Sequence, residues 1–502
     1  MTDRLGAHAR AIGLIALAGL CGCRAVGPDY TPPKTDMPAL YANEMLPGTT
    51  QGARTPDEAI ARWWTLLDDP ALTVLIERAL AANHDVRLAT ARLREARAIL
   101  GITESDLLPS VDASGSASRS QFSDRTNQGF GPTGEQNFFR VGLDASWEID
   151  VFGGVRRSVE AAGADAEAAA ENRAAVWVSL AAEVALNYIE LRSAQQRIAV
   201  TDKNIHAQGE TLDLTRSRAS AGLAAELEVA QAQSQLALRR AQRPPLVIAE
   251  RAAAHRLGVL LGVHPESVLE ELSRPAPLPA STADIAIGIP SDLLRRRPDI
   301  RAAERRIAGA TARIGVATAD LFPRFSLTGS FGFETEELDG FGYSDSRAWS
   351  VGPAVRFNLF DRSRTRRAIE AASAREEQAL ILYEQTVLQA LEETENTLVR
   401  LAQERLRASA LRDAVDASER AVAFADERYR SGVGDFLNVL ESQRLLYDAE
   451  DQLVQSSANE TAAIVSLFKA LGGGWDAPPE EAAPEAATLP PTPEDPGSGG
   501  QQ

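Results

Sequence analysis

The chain has 502 residues, with alanine abundant and aromatic residues at only 6%, a composition of long helices more than of a compact enzyme core. Its net charge of −18 leaves no basic surface to offset phosphate, which excludes nucleic acid as a partner. No apolar run reaches the roughly 18–20 residues that a membrane-spanning helix needs, so any crossing of a bilayer must use strands.

Arg4 and Arg10 precede a short apolar run, Ala11–Leu20, which suits a signal peptide over residues 1–22. Leu20-Cys21-Gly22-Cys23 follows and looks like a bacterial lipobox, with Cys23 as the acylated residue. A covalent lipid on Cys23 is then the only non-protein group expected, and it anchors a chain without forming a pore. Residues 23–66 read as a lipid-anchored segment, extended from Val26-Gly27-Pro28-Asp29-Tyr30 onward through its prolines. Helix is clear from Asp69 to Asp106, where Asp106-Leu107-Leu108-Pro109 ends it.

Four stretches then alternate apolar and polar residues with period two, the pattern of strands with one greasy and one wet face. They are Ser110–Ser118, Phe138–Asp150, Arg324–Glu334 and Arg347–Leu359. In the second, Phe139, Val141, Leu143, Ala145, Trp147 and Ile149 share one side. In the last, Trp349, Val351, Val355, Phe357 and Leu359 do so, with Ser350, Arg356 and Asn358 opposite. Strands of about ten residues, apolar outside and polar inside, suit a membrane barrel with a wet lumen.

The chain also repeats itself. Shifted by 214, Asp85, Gly101, Asp106, Leu107 and Pro109 match Asp299, Gly315, Asp320, Leu321 and Pro323. Shifted by 210, Arg156-Arg157, Arg218, Gly222 and Val229 match Arg366-Arg367, Arg428, Gly432 and Val439. Each half is a helix–strand–strand–helix–helix unit, over residues 67–270 and 291–475, joined by a proline-rich linker at 271–290. Trp177, Val184, Leu191, Ile198, Ile205 and Leu212 stand seven apart, as do Val387, Thr394, Leu401, Ala408, Val415 and Val422, a seam that predicts supercoiled helices. A helix from about Val155 to Ser220 is a strut of roughly 100 Å. Gly222-Leu223-Ala224 and Gly432-Val433-Gly434 interrupt the helices at matching points and predict the tips of two helical hairpins. Residues 476–502 form an acidic, proline-rich tail that predicts disorder.

Four strands cannot close a barrel, and an open sheet leaves edges that lipid does not tolerate. The barrel must be shared: two chains give eight strands and three give twelve, and polar inward positions with long struts favour three. The fold class is thus a mixed α and β membrane protein with an internal tandem duplication. Long coiled-coil struts carry four strands per chain, shared in a trimeric twelve-stranded β-barrel.

The lipobox with Val26-Gly27-Pro28-Asp29-Tyr30, Trp63-Trp64 with Asp69-Pro70, Ile289-Pro290-Ser291-Asp292-Leu293-Leu294 with Arg297-Pro298-Asp299, and Arg428-Tyr429-Arg430-Ser431-Gly432 resemble the outer-membrane factor family, TolC-like, in its lipoprotein NodT/OprM-type branch. The resemblance runs to about Trp475 and implies that the struts form a long α-helical coiled-coil tunnel. It implies the exit duct of a tripartite RND-type efflux pump for drugs or other small toxic compounds, set in the bacterial outer membrane and extending into the periplasm. Its partners are then a periplasmic adaptor, an inner-membrane transporter, two further copies of the chain and outer-membrane lipid. It implies a periplasmic gate at Tyr429, Asn438 and Glu441, with Asn438 departing from the acid of some members; a solvated helix face is the plainer reading of Tyr429 and Glu441. It also assigns Gly222, Leu223, Gly432, Val433 and Gly434 to adaptor docking, beside their turn chemistry. Alternatives are the outer-membrane duct of a type I protein-secretion or metal-efflux system. The arginines from Arg295 to Arg306 suit ion pairs on a helix face better than an anion site. His84, His206, His255 and His264 form no metal-ligand motif, and no phosphate loop or nucleophile elbow occurs, so an enzyme is not expected.

Overall fold

The computed structural model describes residues 24–42, 49–50, 60–122, 134–279, 285–286 and 288–475; the predicted signal, Cys23 and the tail from 476 lie outside the described residues. The first half runs α1 (Pro70–Ala82), α2 (His84–Ser105), β1 (Ser110–Phe122), β2 (Gly134–Ile149), α3 (Gly154–Ser220) and α4 (Glu226–Leu260). The second runs α5 (Pro298–Ala319), β3 (Arg324–Thr335), β4 (Arg347–Arg356), α6 (Arg362–Arg430) and α7 (Phe436–Ala470). From α2 in the first half and α5 in the second onward, the two halves repeat one order of elements: helix, two strands and two helices.

The continuous helix expected from Asp69 to Asp106 is broken at Asn83. Its backbone leaves the helical region (φ −58°, ψ 140°), and its side-chain oxygen caps α2 by accepting from the amides of Asp85 (2.7 Å) and Val86 (3.3 Å). The Asn83 amide nitrogen donates to the Leu260 carbonyl at 2.9 Å, so the break is also a joint to α4. An asparagine that satisfies two orphan amides at once favours an end over a continued helix.

The four strands form one antiparallel sheet in the order β1-β2-β3-β4. Register aligns Ala113, Leu143, Phe331 and Trp349 in one row and Asp112, Asp144, Ser330 and Ser350 in the next. The greasy face is bare: Val141, Leu143, Phe331, Trp349 and Val351 are all exposed. On the wet face Ser114 donates to Asp144 at 2.6 Å, and Arg140 pairs with the same carboxylate at 2.5 Å. β1 and β4 are the two outer strands, each paired on one side only among the described residues.

Both struts form as expected, with 67 residues in α3 and 69 in α6. The seven-residue seam turns inward: Val184, Leu191, Leu212, Val387, Thr394, Leu401 and Ala408 are buried. An 18-residue window of α3 is apolar enough to cross a bilayer by composition, yet 56% of it is buried inside the molecule. It is the core helix of the upper body, where Tyr188, Ile189 and Leu191 meet Trp63, Leu257 and Phe468.

The N-terminal segment lies as a strap across both halves. The Val26 amide donates to the Phe152 carbonyl (3.0 Å), and the buried Arg157 guanidinium donates back to the Val26 carbonyl (3.1 Å) and to Asp29 (2.5 Å). Arg157, then Arg24, hold the Asp29 carboxyl below its ordinary range. Further along, Tyr30 donates to Glu304 (2.9 Å) and the Ala42 amide to Glu395 (2.6 Å). Gly27 has φ +91°, and a Cβ there would lie 2.4 Å from the Gly315 Cα, so only glycine fits. Thr49–Thr50 and Ile285–Ala286 pair in parallel and join the strap region to the linker.

Candidate functional site

The two hairpin turns are built alike. After α3, the Leu223 amide reaches back to the Arg218 carbonyl (2.8 Å) and Gly222 takes φ +74°. After α6, the amides of Val433 (3.1 Å) and Gly434 (3.0 Å) both reach the Arg428 carbonyl, and Gly432 takes φ +75°. A left-handed glycine after the last helical residue satisfies carbonyls that would otherwise have no donor. Asp435 then caps α7, accepting from the Leu437 amide at 3.0 Å. This leaves Leu223 and Val433 at the two turns, each 68% exposed, with Leu227 and Leu437 exposed beside them. Four exposed aliphatic side chains on two adjacent turns form an apolar end that water does not favour.

Immediately above the turns the three sequence-predicted gate residues part company. Tyr429 is 4% exposed, so the reading of a solvated residue does not describe it. Its hydroxyl donates to Glu228 of α4 at 2.9 Å. The Arg218 guanidinium lies 4.6 Å from its ring centroid and donates to its carbonyl at 3.1 Å. Phe436 packs on the ring at 5.2 Å, within a cluster that also holds Leu212, Ala232, Leu236, Val439 and Leu440. Asn438 and Glu441 are exposed on α7. Glu441 is held by Arg444 through two contacts, at 2.6 and 3.0 Å, which keep its carboxyl below the ordinary range.

Thus Tyr429 ties the second hairpin to the first, while Glu441 is neutralised on its own helix. Sequence reasoning missed Glu228 and the stacking of Arg218. The signal was present: the shift of 210 that pairs Arg218 with Arg428 also pairs Glu228 with Asn438, so the acid absent from one repeat stands in the other.

Above Tyr429, polar contacts continue between the hairpins. Arg239 of α4 lies over the Tyr447 ring of α7 at 3.9 Å and pairs with Asp448 at 3.7 Å. Arg197 of α3 grips Asp451 at 2.7 and 3.0 Å. The arginines of the second-half entrance are paired, as their sequence predicts: Arg297 with Asp299 and Glu393, Arg301 with Glu171, Arg305 with Glu304. Arg306 donates to the side-chain oxygen of Asn172 at 2.9 Å.

Burial, then the hydrogen bond to Glu228, raise the Tyr429 phenol above its ordinary value of 10.0. Below that value the tyrosine keeps its proton whether the hairpins are joined or apart, so the contact contributes fully. As pH rises past it toward the raised value, the separated form ionises first and the contact loses its contribution. With the gate role that the resemblance implies for Tyr429, conductance through the tip is expected to stay flat from about pH 6 to 9 and to rise above about pH 10. Planar-bilayer recordings across that range check it, with Tyr429→Phe removing the alkaline step.

Comparison with known proteins gives one consistent result. The profile of the outer membrane efflux protein family matches residues 75–263 and 289–473, one block for each repeat. The chain is 32% identical over 461 residues to Nodulation protein T of Rhizobium leguminosarum bv. trifolii, covering 91% of this chain and 96% of that protein. It is 31% identical over 472 residues to the solvent efflux pump outer membrane protein SrpC of Pseudomonas putida, covering 93% and 98%. Among solved structures, the outer-membrane channel OprN superposes with a TM-score of 0.84 at 39% identity, over 90% of this chain and 99% of that one.

Proposed function

The chain belongs to the outer membrane efflux protein family, and from that premise we propose that it is the exit duct of a tripartite RND-type pump exporting drugs, solvents or other small toxic compounds. The observation that carries this reading is a sheet greasy on its outer face, polar on its inner face and open at both edges, set on two helical struts of about 100 Å. Two further copies close the edges in a barrel that leaves no backbone group unpaired in lipid. The relative SrpC is a solvent efflux component by name, which supports a small apolar cargo.

The duct holds no energy source of its own in this reading; an inner-membrane transporter supplies it through a periplasmic adaptor. The adaptor seats on the exposed apolar turns around Leu223 and Val433, with Gly222, Gly432 and Gly434 shaping them. Tyr429 and Glu228 form the lock at the tip, and Asn438 and Glu441 line the passage beside it. Cys23 carries the lipid in this reading, and the strap from Arg24 onward is tied to the chain at Phe152 through Val26.

Capture from Val433 by a photo-crosslinker in living cells, with mass spectrometry of the product, tests the assignment. An adaptor of a proton-driven pump is the expected catch. An adaptor of an ATP-driven exporter overturns it in favour of type I protein secretion, and no catch at all leaves a passive channel. Aspartate at both Leu223 and Val433 is expected to abolish efflux-dependent tolerance while leaving bilayer conductance intact, since a buried charge in an apolar contact costs several kcal/mol.

A further inference from the structure

A shallow pocket of about 300 Å³ opens on the upper body, lined by Arg62, Trp64, Glu77, Leu80, Trp177 and Trp475. Three of the chain's six tryptophans meet here, one from the segment before α1, one from α3 and one from the residues after α7. Arg62 and Glu77 pair with each other at 2.5 Å. Arg173, one turn before Trp177 on α3, holds its guanidinium 4.9 Å from the Trp177 ring centroid. It makes no ion pair among the described residues, and its Nε has no hydrogen-bond partner there. Its neighbours Arg301 and Arg305, by contrast, each hold a glutamate. Arg173 is a half-buried cation in want of an acid.

The chain leaves α7 at the edge of this pocket, and its exit is fixed. The Gly474 amide donates to the Ile60 carbonyl (3.1 Å), and Trp475 Nε1 donates to the Arg296 carbonyl (3.2 Å). Arg301 lies over the Trp475 ring at 5.2 Å. The next residues are Asp476-Ala477-Pro478-Pro479-Glu480-Glu481. Aromatic-lined grooves take proline-rich segments because the pyrrolidine ring is apolar and its backbone has little freedom left to lose. From 476 onward the chain carries Asp476, Glu480, Glu481, Glu485, Glu494 and Asp495 and no lysine or arginine, a charge that suits Arg173.

We propose that the tryptophan pocket is the seat of this chain's own C-terminal tail, with Pro478-Pro479 on the tryptophans and Glu480-Glu481 answering Arg173. The segment starts at a residue that itself lines the pocket, so the connection is as short as it can be. A short tether holds a segment at high effective concentration, and a weak contact then stays filled. Seated there, the tail covers aromatic surface that is otherwise open to water and to other proteins. The proposal does not depend on what the duct carries.

The test is digestion of the purified full-length protein with a glutamate-specific protease, with cleavage after Glu481 and after Glu485 followed by mass spectrometry. Both glutamates are followed by two alanines, and a free peptide of residues 476–502 gives the unprotected ratio of the two rates. Relative to that ratio, cleavage after Glu481 is expected to be about tenfold slower in the protein. Arg173→Gln is expected to recover most of the difference with native circular dichroism, and Trp177→Ala the rest. The peptide's ratio in the native protein overturns the proposal. So does protection of Glu481 that survives both substitutions, which would put the tail on another face or on a neighbouring copy.

Discussion

Replacing Tyr429 by alanine is expected to hold the tip open and to raise the conductance of the purified channel by an order of magnitude or more. The side chain makes two contacts that join the hairpins, the hydroxyl on Glu228 and the cation of Arg218 over the ring, and a third within its own hairpin, the ring on Phe436. A hydrogen bond to a charged group is worth about 1.5–3 kcal/mol, and a cation over an aromatic face adds about 0.5–2 kcal/mol. These are not additive, and part of each survives in water. If about 2 kcal/mol is lost per protomer, the ratio of closed to open falls about thirty-fold. Tyr429→Phe and Glu228→Gln keep the ring in place and are expected to give intermediate conductance. A Tyr429→Ala channel with native conductance and native helicity would show that the passage closes elsewhere.

The second large effect is on stability and leaves the tip alone. Trp63 is fully buried, stacked on Phe468 at 5.7 Å with ring planes 9° apart, and edge-on to Trp64 at 5.8 Å. It joins the segment before α1 to the end of α7. Trp63→Ala is expected to destabilise the upper body by about 3–5 kcal/mol, the usual cost of emptying a large aromatic site. Trp63→Phe is expected to cost far less, because the indole nitrogen has no hydrogen-bond partner to lose among the described residues. Urea unfolding followed by circular dichroism measures both. The idea fails if Trp63→Ala unfolds at the native urea concentration.

Much of the fold was legible because it depends on periodicity along the chain. The period of two fixed which strand residues face out, since a slip of one residue would turn Leu143 and Trp147 to the wet side. The period of seven fixed the inner face of α3 and α6, and the glycines at 222 and 432 fixed where each strut turns back. The one helix drawn too long, across Asn83, failed because a capping asparagine and a helical asparagine look alike until the Leu260 carbonyl is beside it. The strap was visible as an extended run, but its grip on Arg157 and Gly315 joins positions more than a hundred residues apart.

The sequence by itself determined the duplication, the four amphipathic strands, the two hairpin tips and, through its motifs, the family. These are local or periodic properties, set by backbone preference and by the spacing of apolar side chains. Only the tertiary structure decided what Tyr429 contacts. A tyrosine at the end of a long helix suits water, a lumen or a core equally well. Its partner Glu228 lies on another helix of the other repeat, 201 residues away, and only the packing of hairpin against hairpin brings the two within a hydrogen bond. Glu441, which the resemblance assigns to the gate, is answered by Arg444 one turn along the same helix, a contact that depends on how both side chains turn.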